Sequence, residues 1–194
     1  MKKSLSGRTA LITGVSRQIG IGAAIAKELA ANGANLFLIH YAPYDGDQPW
    51  GIEPDEPTRI ADKLRTEGID VVTEQADLSD PNAPDALMQR AVAHFGQIDI
   101  LVNNATYSQR DGSDGLNAGE IDRAYAVNLR SPMLLCAAFA RQHTGDLGRI
   151  INITSGQGHG PMPGELAYVA TKGGIDALTV TLSAELAPLG ITVN

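Results

Sequence analysis

Tyr168 and Lys172 stand four residues apart in a stretch of helical period, so both side chains project from one face, about 6 Å apart along the axis. An ammonium beside a phenol stabilises phenolate and draws a pKa of about 10 toward the range of a working acid or base. The spacing alone is a weak motif, and a third group adds weight to it. Ser155 follows the run Ile151-Asn-Ile-Thr, at the carboxyl edge of an expected strand, where ligands of open α/β sheets bind. Standing alone, it would be a turn serine.

A second constellation lies near the amino end. Thr13-Gly-Val-Ser-Arg-Gln-Ile-Gly-Ile-Gly22 separates an apolar run from Ala-Ala-Ile-Ala-Lys-Glu-Leu-Ala. Glycines between a strand and a helix N-terminus let the backbone approach a pyrophosphate, whose charge then sits at the positive end of the helix dipole. A tight turn is the alternative, and the position within a βαβ unit favours the dinucleotide. The second strand ends Ile39-His40-Tyr41 without a carboxylate, and Arg17 in the glycine loop is placed to reach a phosphate. NADP(H) is therefore expected over NAD(H). Asp45 and Asp47, a little downstream, either fold back over the adenosine or are solvated loop charges.

The elements that must hold these residues alternate in type. Apolar runs at 9–13, 35–40, 70–75, 98–102, 149–154 and 191–194 alternate with helical stretches at 21–32, 57–67, 84–95, 117–143 and 167–187. That order predicts βαβ units and a parallel sheet. Gly33 and Gly68 read as helix C-caps, and Asn117 with Glu120 as a capping-box-like start. Stretches 117–143 and 167–187 are apolar nearly all round, with Ala177, Val180 and Ala184 on a second face of the latter. Either neighbouring loops cover those faces, or a homodimer or homotetramer buries them. Residues 42–57, with four prolines and the only tryptophan, Trp50, form a connection too long for an ordinary βα loop.

Composition excludes several classes. With 194 residues, 43% hydrophobic and 19% charged, the chain has the profile of one globular domain. Its 15 basic against 22 acidic residues, a net charge of −7, disfavour nucleic acid as a partner. No apolar run approaches the roughly 20 residues of a membrane span, and no signal peptide is expected. The single cysteine, Cys136, rules out an intrachain disulfide and a Cys-based zinc site and fits the cytoplasm. No metal is expected.

With these residues in view, the chain resembles the classical short-chain dehydrogenase/reductases, and within them the bacterial 3-oxoacyl-acyl-carrier-protein reductases. The motifs carrying the resemblance are the glycine loop, Asp77-Leu78, Asn103-Asn104-Ala105, Asn128 in Ala-Val-Asn-Leu-Arg, Ser155, and Tyr168 with Lys172. The resemblance implies a Rossmann-type, doubly wound parallel sheet and an NADP(H)-dependent reduction of a small carbonyl substrate. Tyr168 would protonate the carbonyl oxygen, Ser155 would orient it, and Lys172 would lower the phenol's pKa and bind the nicotinamide ribose. Asn128 would interrupt its helix to hold a water beside Lys172. Cofactor contacts would come from Gly14, Ser16, Arg17, Gly20, Ile21, Gly22, His40, Tyr41, Asp77, Leu78, Asn104 and Ala105, besides Tyr168 and Lys172. A hydride and a proton reach the same C=O, so one positioned acid and one oriented cofactor suffice.

Several features depart from the family pattern. Five residues rather than three separate Gly14 from Gly20, as in enoyl-acyl-carrier-protein reductases, although the four-residue Tyr–Lys spacing favours carbonyl reduction. Thr106 stands where a glycine is usual, so a local shift is expected. Where carrier-docking reductases place basic residues, this chain has Asp146 and Leu189, with Glu185 nearby, a poor match to an acidic carrier. Family members run to roughly 250 residues, so the chain is expected to be cut at the start of a sixth strand, ahead of the substrate lid. An NAD-dependent alcohol or polyol dehydrogenase and a non-catalytic dinucleotide-binding module remain alternatives.

Overall fold

Alternate residues of the inner strands are apolar in both directions, which requires a sheet covered on two faces. The computed structural model describes residues 3–51, 53–145 and 147–194, and in it six parallel strands lie in the order β3-β2-β1-β4-β5-β6. These are β1 (Thr9–Thr13), β2 (Asn35–His40), β3 (Val71–Gln75), β4 (Ile100–Asn103), β5 (Gly148–Asn152) and β6 (Ile191–Val193). The helices are α1 (Ile21–Ala31), α2 (Ala42–Gly46), α3 (Glu56–Arg65), α4 (Ala83–Phe95), α5 (Gly112–Gly115), α6 (Ala118–Tyr125), α7 (Ser131–Gln142) and α8 (Leu166–Leu186). On one face Leu11, Phe37, Leu101 and Ile150 pack against Leu87 of α4 and Leu135 and Phe139 of α7. On the other, Ile12, Leu38 and Val102 meet Ala23, Ala26 and Ala30 of α1 and Ile60 and Leu64 of α3. This is the doubly wound Rossmann-type fold, and strand order reverses between β1 and β4, so a crevice opens at their carboxyl ends.

The amino edge of the sheet is pinned by Asp99, only 5% exposed. Its carboxylate accepts from Arg8 Nη1 at 2.7 Å, from Thr9 N at 2.9 Å and from Gln97 Nε2 at 3.2 Å. Asp99→Ala leaves the buried Thr9 N–H without a partner and removes the ion pair of Arg8. A loss of about 2–3 kcal/mol is expected in urea unfolding, with an unchanged slope.

The sequence placed β1 and β2 at their observed limits and the other strands within two residues. Gly33 and Gly68 end their helices with φ of +92° and +79°. The helix expected over 117–143 is instead α6, a π-helical turn at Ala126–Arg130, and α7. The wide turn directs the buried Asn128 side chain inward, away from the helix surface. Asn117 Oδ1 accepts from Glu120 N at 3.1 Å, but Glu120 Oε2 accepts from the Tyr107 hydroxyl at 2.6 Å instead of returning to Asn117, so half of the capping box forms. Residues 42–57, expected as a loop, begin with α2.

The second face of α8 is open: Val180 is 71% exposed, and Met133 on α7 is 43% exposed. Among the described residues, no helix is long and apolar enough to cross a membrane, and no group of three metal-ligating side chains forms.

Candidate active site

The end of β5 and the start of α8 meet through Lys172. Lys172 is only 3% exposed, and its Nζ donates to the Ile153 carbonyl at 2.6 Å. The ammonium lies 5.7 Å from the centre of the Tyr168 ring. Burial pulls the Lys172 pKa down to about 8, partly opposed by the charge of Asp176 one turn on. Ser155 opens a 3-10 turn after β5, and its hydroxyl contacts Met162 Sδ at 3.4 Å, a weak acceptor that a carbonyl oxygen would displace.

Asn128 is fully engaged. Its Oδ1 accepts from Tyr107 N at 2.6 Å and Thr106 Oγ1 at 3.2 Å, while Nδ2 donates to Tyr107 O at 2.8 Å and Thr171 Oγ1 at 3.1 Å. The helix is interrupted at this residue, as expected, but the side chain is spent on docking the chain after β4 against α8. Thr106, the residue that departs from glycine, contributes a donor to the same network. Asp111, which nothing in the local sequence singles out, accepts from Leu166 N at 2.6 Å and Ala167 N at 2.8 Å.

On the nucleotide side, Gly14 has φ +76°, and a Cβ there would lie 2.7 Å from Asn104 Nδ2 and 2.8 Å from Ala105 Cα. A Cβ on Gly22 would lie 2.4 Å from the Gly14 carbonyl oxygen. Asn104 Nδ2 holds the Thr13 and Gly14 carbonyls at 2.9 and 3.0 Å, so it buttresses the glycine loop. The two extra residues are taken up by a turn closed by Gly20 N on Arg17 O at 3.0 Å, and Ile19 on it is 91% exposed. Gly20, at the start of α1, offers no side-chain cap, and the first turn carries no acid. Bare N–H groups and glycines whose Cβ space is taken by backbone fit a pyrophosphate.

Gly14, Ser16, His40, Tyr41, Asp77, Leu78 and Ala105 line one pocket in the crevice, together with Asp47 and with Tyr44, Tyr107, Gln109 and Arg123, which the sequence did not single out. Arg17, Gly20, Ile21, Gly22 and Asn104 lie outside its lining. The expected reach of Arg17 to a phosphate meets a different arrangement: its Nε is 3.6 Å from Asp45 Oδ1, and its guanidinium lies 4.3 Å from the centre of the Trp50 ring. Asp45 is neither solvated nor over the pocket. It is buried and accepts from Trp50 Nε1 at 2.9 Å. Asp47 and Asp77 are the carboxylates that border the pocket, and Arg123 is its cation, 5.6 Å from the Tyr107 ring centre.

Burial pushes the His40 pKa below its ordinary value, against the raising effect of Asp45 and Glu74. Partial burial raises Asp77, but hydrogen bonds from Ser79 and Tyr41 and the Arg123 charge outweigh it and hold the carboxyl below the usual range. A neutral imidazole and an ionised carboxylate therefore face the pocket at neutral pH.

Comparison with known proteins agrees with this geometry. The family model for short chain dehydrogenases matches residues 8–194. The chain is 45% identical over 190 residues to the uncharacterized oxidoreductase YjdA of Bacillus subtilis, covering 96% of this chain and 72% of that protein. It is 33% identical over 196 residues to the 3-oxoacyl-[acyl-carrier-protein] reductase FabG of Staphylococcus aureus, covering 96% and 72%. The structure of a short chain dehydrogenase from Burkholderia cenocepacia in complex with NADP superposes with a TM-score of 0.87 at 35% identity, covering 98% and 73%. Sheet order, glycine loop and similarity over nearly the whole chain lead to one assignment: the protein belongs to the short-chain dehydrogenase/reductase family and is an NAD(P)-dependent oxidoreductase.

Proposed function

We propose that this protein reduces a ketone to a secondary alcohol with NADPH, the substrate being a 3-oxoacyl thioester or a related small carbonyl compound. The observation that carries the reading is the buried Lys172 ammonium beneath the Tyr168 ring. With a pKa of about 8, Lys172 is charged at neutral pH and stabilises the phenolate left when Tyr168 donates its proton to the carbonyl oxygen. Ser155 leaves Met162 to hydrogen-bond that oxygen. Asn128 holds the loop after β4 in place. The nicotinamide supplies the hydride when bound, while Tyr168 and Lys172 orient its ribose.

The α1 N-terminus with Gly14, Ser16, Gly20, Ile21 and Gly22 takes the pyrophosphate. His40, Tyr41, Asp77 and Leu78 take the adenosine, with Ala105 beside them and Asn104 supporting the loop. Arg17 takes the 2′-phosphate, a choice supported by the absence of a carboxylate at the end of β2. A cytoplasmic homodimer or homotetramer formed through α7 and α8 accounts for the open face around Val180. Glu185 and Leu189 beside that face argue for a substrate that is not carried on an acidic protein; Asp146, the other residue of that argument, lies outside the described residues.

A second reading, an NAD-dependent alcohol dehydrogenase, draws on Asp47 at the pocket and on the pairing of Arg17 with Asp45. Cofactor titration separates the two. NADPH is expected to bind at least tenfold more tightly than NADH, and Arg17→Ala to erase the difference; tighter NADH binding sinks the first reading. Loss of the reduced-nicotinamide absorbance with acetoacetyl thioester is expected for the wild type and not for Tyr168→Phe.

A further inference from the structure

The helix carrying Tyr168 and Lys172 begins without a cap of its own. The segment before it, Gly160-Pro-Met-Pro-Gly-Glu165, contains none of the preferred N-cap residues Ser, Thr, Asp or Asn, and Glu165 makes no side-chain cap bond. The free N–H groups of the first turn therefore need a partner from elsewhere. Asp111, 55 residues earlier, supplies it. Its carboxylate accepts from Leu166 N at 2.6 Å and Ala167 N at 2.8 Å, and its own N–H donates to Gly164 O at 3.0 Å. The side chain is 6% exposed, so these are shielded, charge-assisted bonds to a helix N-terminus.

We infer that Asp111 is a positioning residue for Tyr168. The inference rests on the proposed role of Tyr168 as the acid. Tyr168 is the third residue of α8, immediately after the two N–H groups that Asp111 holds. Lys172 lies a turn further on and is anchored separately to the Ile153 carbonyl. Loss of the cap thus frees the phenol more than the ammonium. Asp111 also sits on the segment whose earlier residues Ala105, Thr106, Tyr107 and Gln109 line the nucleotide pocket. The acid is thereby referenced to the wall of the cofactor pocket rather than to its own loop.

The test compares Asp111→Ala, Asp111→Asn and Tyr168→Phe with the wild type. In Asp111→Ala, kcat for acetoacetyl thioester is expected to fall about a hundredfold, the scale of a displacement near 1 Å at a reacting group. The Kd for NADPH, followed by fluorescence, stays within about threefold, because the pocket wall is held by Asn128 independently. Asp111→Asn keeps one acceptor and recovers part of kcat, which also guards against a simple folding failure of the alanine variant. Amide exchange at Leu166, Ala167 and Tyr168 accelerates in Asp111→Ala while that of Ile175–Leu182 does not. Asp111→Ala retaining wild-type kcat while Tyr168→Phe is inactive overturns the inference. So does a rise in Kd as large as the fall in kcat. Activity retained in Tyr168→Phe instead overturns the proposed function.

Discussion

Lys172→Met is expected to abolish turnover and, in the same molecule, to raise the Tm at pH 7. The activity loss follows from the place of the ammonium under the phenol and should reach about 10²–10⁴-fold. The stability gain follows from burial. In the unfolded chain the amine has its ordinary pKa of 10.5, and in the fold about 8. Below pH 8 both states hold the proton, and the folded state bears the full cost of a charge taken from water. At 1.36 kcal/mol per pH unit this is roughly 3 kcal/mol.

Between pH 8 and 10.5 the unfolded state binds the proton and the folded state does not, so the wild type gains stability as pH rises through that window. Methionine fills the same unbranched space without the charge. Loss of the bond to the Ile153 carbonyl offsets about 1 kcal/mol, leaving a net gain of about 2 kcal/mol, or roughly 4–8 °C in Tm. Thermal melts from pH 7 to 10.5 should show the advantage shrinking toward alkaline pH. An advantage that grows with pH contradicts the account. The same titration makes wild-type kcat/KM fall as pH rises through about 8, as Lys172 loses its charge.

The second large effect is expected at the glycine loop. A Cβ at position 22 would meet the Gly14 carbonyl oxygen at 2.4 Å and Asn104 Nδ2 at 2.8 Å, and the first of these is backbone that cannot rotate away. At position 14 a side chain meets Asn104 and Ala105 at 2.7–2.9 Å and also occupies φ +76°. Overpacking of about 1–3 kcal/mol and a left-handed penalty of about 1–2 kcal/mol combine at Gly14. Gly14→Ala should therefore lose about 2–5 kcal/mol of stability and at least a hundredfold in affinity for NADPH. Gly51→Ala isolates the conformational part, since its φ is +71° with no atom within 4 Å of the added Cβ. It should lose only about 1–2 kcal/mol and keep its cofactor affinity. Equal losses in the two variants would refute the close-approach explanation.

What the sequence disclosed was local. Apolar runs gave β1 and β2 to the residue because strand patterning and turn glycines lie next to each other in the chain. Tyr168 and Lys172 were legible because one helix carries both. Asp111 was not, since a cap supplied from 55 residues away leaves no trace beside the helix it caps. The Asp45, Trp50 and Arg17 cluster was hidden for a similar reason: Arg17 pointed to a phosphate in its own segment, and only the fold brings the Asp45 carboxylate into contact with it and with Trp50. The break of the long helix at Asn128 also escaped periodicity, because a π turn adds one residue without altering the apolar composition around it.

The turn closed by Gly20 N on Arg17 O changes how this chain's signature should be counted. Two residues that begin and end one hydrogen bond apart add to the spelling of the loop and little to its route. The positions that must be glycine are those where two backbone segments cross, at Gly14 and Gly22, and the number of letters between them is free to vary as long as the excess leaves the crossing and returns. A search pattern built on fixed spacing would pass over this chain, whereas one built on the crossing would find it.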